Sequence, residues 1–234
     1  MPAENEIKFV LFFDLTEDML ADQQWKFKSI PRQGYIPPAA TIKEKGGDHL
    51  FRYRLQIPGK DREVALEKRI SKADYKDLFA KATHGHLPKE GRVREYGDKF
   101  MFTYKQWSER TNCDTEIEMP ISEEDFEDLF SQNTRYLTKH RYYHPEVKKS
   151  ECDWSVDFLL DANGQPYFIM AEVEMPEGEE EPDFIPKILK PYIAYRVPKG
   201  DRNFSNKMLA DQDHARKMLN HIGLSRPTNI THEY

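Results

Sequence analysis

Cysteine is nearly absent: Cys113 and Cys152 are the only two in 234 residues, and they form no CxxC pair. This excludes a disulfide framework and a cysteine-rich zinc site, and it fits a reducing compartment. Apolar residues are also scarce, at 38% of the chain, and no run reaches the ~18 that a membrane helix needs. The start, Met1 to Lys8, lacks the basic-then-apolar layout of a signal peptide, so a soluble, cytoplasmic protein with no membrane partner is expected. Positive charge is in deficit, with a net charge of -6. That argues against an extended nucleic-acid surface, which works through many Lys and Arg contacts to phosphate, but leaves room for a hidden basic pocket.

Charge of both signs is abundant, with Asp, Glu, Lys and Arg making up 32% of the chain. So many polar side chains either cover an unusually large surface or line an interior cavity. One hydrophobic core commonly serves about 100–250 residues, so residues 1–234 read as one elaborated domain.

Period-two alternation predicts strands at Glu4–Phe13, Trp25–Ile36, Gly91–Tyr96, Phe100–Trp107, Thr115–Met119, Trp154–Leu160 and Tyr167–Met175. Ser122 with Asp125 three residues on reads as a capping box opening a short helix, with Phe126, Leu129 and Phe130 on one face. A matching helix begins at Ser71, and a longer one is expected from Ser205 to about Ile222, ended by Gly223. Few helices and many strands make an α+β fold.

The chain also repeats itself. Ile42–Phe79 aligns without gaps on Val93–Phe130 at an offset of 51, with eleven of the 38 positions identical. Phe51 and Tyr53 meet Phe102 and Tyr104, while Ile70, Ser71, Asp74, Leu78 and Phe79 meet Ile121, Ser122, Asp125, Leu129 and Phe130. Each copy reads strand, strand, strand, helix.

Charged residues recur in pairs spaced by two, and on a strand such residues share a face. Glu4, Glu6 and Lys8 form one row; Arg92 with Arg94, Lys105 with Thr103, Glu116 with Glu118, Lys139 with Arg141, and Glu172 with Glu174 form others, and Asp157 opposes the apolar Trp154 side. A single such pair is most simply a solvated strand face. The rows are nevertheless sorted by sign and sum to a balanced set, which suits a sheet closed with its charged faces inward and its apolar faces covered by helices. Buried ions need counter-charge. Carboxylates suit hard cations such as Mg²⁺ or Mn²⁺, and Lys and Arg suit phosphate oxygens, so the combination describes a metal–polyphosphate site.

The motifs that carry these rows resemble the CYTH, or triphosphate tunnel metalloenzyme, superfamily. Glu4-Asn5-Glu6-Ile7-Lys8 fits its ExExK opening and Arg32-Gln33-Gly34-Tyr35 its RQGY segment. There follow Arg92-Val93-Arg94, Thr103-Tyr104-Lys105, Glu116-Ile117-Glu118, Lys139-His140-Arg141-Tyr142, Trp154-Ser155-Val156-Asp157 and Ala171-Glu172-Val173-Glu174. Asn206 with Leu209 and Ala210 is similar to the closing N-x-x-L-A element. The resemblance implies a closed antiparallel eight-stranded β tunnel barrel with a polar lumen and helices packed outside. It implies a metal-dependent triphosphatase acting on a triphosphate-containing small molecule. Lys8, Arg92, Arg94, Lys105, Lys139 and Arg141 would bind the substrate. Glu4, Glu6, Glu116, Glu118, Asp157, Glu172 and Glu174 would hold Mg²⁺ or Mn²⁺. Lys8 beside Glu6 would orient the attacking water, with Tyr35 assisting or simply packing.

The chain departs from the family pattern in three places. Asn5 replaces an apolar residue, Phe184–Asn203 lacks the family's usual text, and residues 37–90 insert the first repeat copy, with Ala65 where the second has Glu116. The insertion is expected to serve as structure, lid or assembly surface, with Arg52 and Arg54 facing either an anion or solvent. An adenylyl cyclase of the same superfamily and a non-catalytic polyphosphate or nucleotide sensor share these motifs. His84 with His86, and His140 with His144, have no evident third ligand for a metal site.

Overall fold

Alternation of apolar and charged residues forms strands because successive side chains point to opposite faces, and the sheet forms where the apolar faces can be covered. The structure, a computed structural model, describes residues 5–37, 39–45, 48–79, 89–108, 113–133, 135–145, 152–176 and 178–224. In chain order these form β1 (Asn5–Leu11), α1 (Glu17–Asp22), β2 (Lys26–Ile36), β3 (Ala40–Lys45), β4 (Asp48–Gln56), β5 (Glu63–Ile70), α2 (Lys72–Phe79), β6 (Lys89–Tyr96), β7 (Lys99–Ser108), β8 (Cys113–Ile121), α3 (Glu123–Phe130), β9 (Arg135–Tyr143), β10 (Asp153–Leu160), β11 (Pro166–Met175), β12 (Ile193–Arg196), α4 (Asn206–Leu209) and α5 (Gln212–His221).

The expected closed eight-stranded barrel does not form. Nine strands hydrogen-bond in the order β12-β1-β11-β10-β9-β2-β6-β7-β8, an open sheet whose edges are β12 and β8, and β3-β4-β5 make a separate three-stranded sheet. The side of β1 that closure would use is engaged otherwise. The outer side of β1 is taken by β12, with Phe9 opposite Arg196 and Val10 opposite Tyr195, and Val197 N donates to the Lys8 carbonyl at 2.9 Å. On β8 the Glu118 carbonyl accepts from Lys68 Nζ at 2.7 Å. A closed lumen sheathed in helices is therefore replaced by an open sheet with few helices.

By internal contacts the chain divides into two units, Ile30–Tyr136 with Met1–Asn5, and Glu6–Ser29 with Leu137–Tyr234. In the first unit the apolar face of β6-β7-β8 is covered by the three-stranded sheet and α3. Phe51, Tyr53, Val64 and Leu78 share one buried cluster with Val93, Phe102, Ile117, Phe126 and Leu129. The rings cross over: Phe51 meets Tyr104 at 5.0 Å between centroids and Tyr53 meets Phe102 at 4.5 Å. A fully buried side chain of this size contributes about 1.5–3 kcal/mol. Both helices of the repeat start on the same cap: Ser71 Oγ accepts from Asp74 N at 3.0 Å, and Ser122 Oγ from Asp125 N at 3.1 Å.

In the second unit Ile7, Phe9 and Leu11 of β1 pack with Trp154, Val156 and Phe158 of β10 and Ile169, Ala171 and Val173 of β11. The long C-terminal helix expected from Ser205 is two helices. Asp211 interrupts it by accepting from Asp213 N and His214 N at 3.0 and 3.1 Å, which caps α5. Gly223, with φ +75°, ends α5 as expected.

Candidate functional site

In the first unit the cross-strand register brings polar and charged residues of four strands to one face. Tyr35 lies opposite Arg92, Arg92 opposite Thr103, and Thr103 opposite Glu118; Gln33 lies opposite Arg94, and Lys105 opposite both Glu90 and Glu116. Directly opposed residues project to the same side. Glu116 pairs with Lys105 at 3.1 Å and Arg92 at 3.4 Å, and Arg94 pairs with Glu118, whose carboxylate also accepts from Thr103 Oγ1 at 3.2 Å. Gly34, on the opposite face, lies against the Asn133 side chain, which a Cβ there would overlap.

Three cations, Arg92, Arg94 and Lys105, share this face with three carboxylates, Glu90, Glu116 and Glu118. The Arg92 and Arg94 side chains are each 13% exposed, yet the Nε of both is buried with no hydrogen-bond partner among the described residues. Burial opposes the charge of Glu116, but Arg92, Lys105 and Arg94 overcome it and hold its carboxyl down at about 2. Burial also opposes the charge of Arg92, and there Glu116, Tyr35 and Glu90 prevail and raise its pKa. For Arg94, burial together with the neighbouring Arg92 prevails, and its pKa is lowered. Arg94 is thus a cation whose burial and neighbouring Arg92 outweigh its carboxylate partners. Burial pushes the Tyr35 phenol up, so its hydroxyl keeps its proton.

In the second unit the charged residues form one continuous network. Asp157, 0% exposed, accepts from Arg141 Nε and Nη2 at 2.5 Å each and from Lys139 Nζ at 2.6 Å. Arg141 Nη2 also reaches Glu172 at 2.5 Å, Glu172 reaches Lys8 Nζ at 3.2 Å, and Lys8 reaches Glu6 at 3.0 Å. The bidentate Arg141–Asp157 pair has the planar fork geometry that repays burial. Burial, and then Arg141 beside it, lowers the Lys139 ammonium to about 8 against the pull of Asp157 and Glu172. Glu172 is held well below the carboxylate range because Lys8, Arg141 and Lys139 outweigh its burial. Glu174 moves the other way, raised by burial and then by Glu6 and Glu172.

The structure thus gathers Tyr35, Arg92, Arg94, Lys105, Glu116 and Glu118 in one unit and Glu6, Lys8, Lys139, Arg141, Asp157, Glu172 and Glu174 in the other; Glu4 lies outside the described residues. The ionic face of β10 and β11 is charged at one end only. Toward the other, Leu159 lies opposite Phe168, whose ring packs on Phe204 at 6.4 Å. His140 turns to Glu17 at 2.9 Å and His144 to Trp25, so neither is part of this network. His84 and His86 lie outside the described residues. Among the described residues no three Asp, Glu, His or Cys side chains stand together as a ready metal site. The first unit also contains a polar residue that charge counting missed. Gln33, which precedes Tyr35 by two and so shares its face, was visible only as one letter of the RQGY segment.

No family model and no curated protein matches the sequence. Among solved structures, the hypothetical protein NE1496 is similar at 20% identity, covering 88% of this chain and 97% of its own, with a TM-score of 0.41. The PH1012 protein from Pyrococcus horikoshii OT3 is similar at 12% identity, covering 95% and 92%, with a TM-score of 0.37. At those TM-scores neither likeness bears on function, which is read from the residues alone.

Proposed function

We propose that this protein binds a triphosphate, inorganic or carried by a nucleoside, and hydrolyses it with the help of Mg²⁺ or Mn²⁺, as its resemblance to the CYTH superfamily implies. The observation that carries this reading is the set of Arg92, Arg94 and Lys105 on one face, with two buried guanidinium Nε groups that have no hydrogen-bond partner among the described residues. A polyphosphate chain supplies the acceptor oxygens that these donors lack, and Arg is the side chain best matched to them. The resemblance assigns Lys8, Lys139 and Arg141 to phosphate as well; within the second unit they pair with Glu6, Glu172 and Asp157. Glu116, Glu118 and Asp157, each ion-paired to a cation, hold those cations in position.

Glu6, Glu172 and Glu174, with Glu4, are the carboxylates that the resemblance would place on the metal; as they stand, Glu6 and Glu172 are ion-paired to Lys8, and no three such side chains among the described residues are grouped as a metal site. All-oxygen donors suit Mg²⁺ and Mn²⁺. When bound, such an ion offsets phosphate charge. In the reaction, water oxygen forms a bond to the terminal phosphorus and the bridging P–O bond breaks, its electron pair leaving with the diphosphate. The proton lost by water passes to a phosphate oxygen. Buried cations stabilise the charge that moves onto the leaving group.

The test is incubation of the purified protein with inorganic triphosphate, ATP and RNA bearing a 5′ triphosphate, each with Mg²⁺ or Mn²⁺. Orthophosphate release is expected. Cyclic AMP from ATP would redirect the reading to a cyclase, and tight binding without turnover would make the protein a sensor.

A further inference from the structure

Gln33 is 0% exposed, and its carboxamide is only half used. Nε2 donates to the Tyr35 hydroxyl, while Oε1 is buried with no hydrogen-bond partner among the described residues. Turning the amide over does not cure this, because whichever atom faces Tyr35 leaves the other unanswered. A buried amide oxygen without a donor is costly, and a water molecule on this face would supply one. The register fixes where that donor stands: Gln33 lies opposite Arg94 and Tyr35 opposite Arg92, on the face assigned above to the phosphates. Phosphate oxygens are acceptors and cannot satisfy Oε1, whereas a water molecule can.

We propose that Gln33 orients the attacking water, with the Tyr35 hydroxyl clamping its carboxamide. The inference rests on the triphosphatase reading and deepens it. Gln33 Oε1 accepts one water O–H and so turns the water's lone pair toward the terminal phosphorus; Tyr35, having accepted from Nε2, is free to donate its own O–H to a phosphate oxygen. The new P–O bond forms as the bridging P–O bond breaks, the electron pair leaves on the diphosphate, and the proton goes to a phosphate oxygen because an amide cannot hold it. Water orientation by a carboxamide is an established device in phosphoryl transfer. Lys8 is poorly suited to that task. Its ammonium has no acceptor lone pair and already reaches Glu6 and Glu172.

The test measures kcat and KM for inorganic triphosphate with Mg²⁺. Gln33→Leu should lower kcat by about 100-fold, the loss typical of one oriented polar group, with KM within a factor of about two. Gln33→Glu keeps the volume and the acceptor. It should retain turnover at neutral pH and add an acidic limb to the kcat profile, absent from the wild type, where its new carboxyl protonates. That limb is something a purely structural role would not produce, and it decides the matter if Gln33→Leu fails to fold. Full kcat in Gln33→Leu, a change confined to KM, or a Gln33→Glu profile like that of the wild type would overturn the inference while leaving the triphosphatase reading intact. Absence of orthophosphate from the wild type would overturn both.

Discussion

The two copies of the repeat, β3-β4-β5-α2 and β6-β7-β8-α3, share a backbone plan but not a chemistry. At the 51-residue offset α2 (Lys72–Phe79) falls on α3 (Glu123–Phe130) end to end, and the inner faces match, with Phe51, Tyr53, Phe102 and Tyr104 all buried. The outer faces differ. In the first copy Arg54 pairs with Glu63 at 3.4 Å, with side chains 50% and 39% exposed, and Ala65 stands where the second copy has Glu116. In the second, Arg92 and Arg94 are 13% exposed and pair with Glu116 and Glu118. Apolar positions thus hold the fold in both copies, while burial of the ions, rather than their number, marks the face suited to a ligand.

The largest effect should come from what the copies share. Phe51→Ala and Phe102→Ala should each destabilise by about 3–5 kcal/mol, measured by urea unfolding; a loss confined to Phe102→Ala would mean that the first copy is not packed as described. Next comes what they do not share. Arg94→Ala should reduce orthophosphate release by about 100-fold without lowering the thermal midpoint. A smaller effect is expected where the copies clasp each other, with Lys60 and Arg62 of the first on Asp128 of the second. The hydrogen bond from Lys60 leads in lowering the Asp128 pKa, burial opposes it, and Arg62 adds to it. A depressed carboxyl stabilises the fold above its unfolded pKa and loses that contribution as pH falls through the folded one. Thermal melts at falling pH should therefore show the wild type losing more between pH 5 and pH 2, ordinary carboxylate territory of about 4 downward, than Lys60→Ala/Arg62→Ala does. The smallest effect is expected of Arg54→Ala, an exposed pair worth about 0–1 kcal/mol, with turnover within about twofold of wild type. A large loss there would show that the first copy also holds ligand.

Much of this was legible in the sequence because it is local. Period-two alternation located β6, β7, β8, β10 and β11, the Ser–Asp caps located α2 and α3, and the gapless repeat anticipated the inserted strands. Sheet closure was not legible, because it depends on which edge finds a backbone partner. The four-residue β12, set between Pro191 and Pro198, is too short to announce itself, yet it occupies β1. The break at Asp211 was hidden for a similar reason: an aspartate inside a helical pattern can point to solvent or cap the next turn, and only the fold selects. Ion rows identified the charged side chains of both units, whereas Gln33, neutral and buried, has no pattern of its own.

The crossed rings, Phe51 on Tyr104 and Tyr53 on Phe102, make the two inner faces reciprocal moulds, each casting the other. A change on either mould is felt by its counterpart, so the interior of the duplicate is bound to the interior of the original. Its outside is under no such bond. Divergence after duplication is thereby channelled to the outward residues, which leaves one face free to acquire a new task while the other keeps the old one.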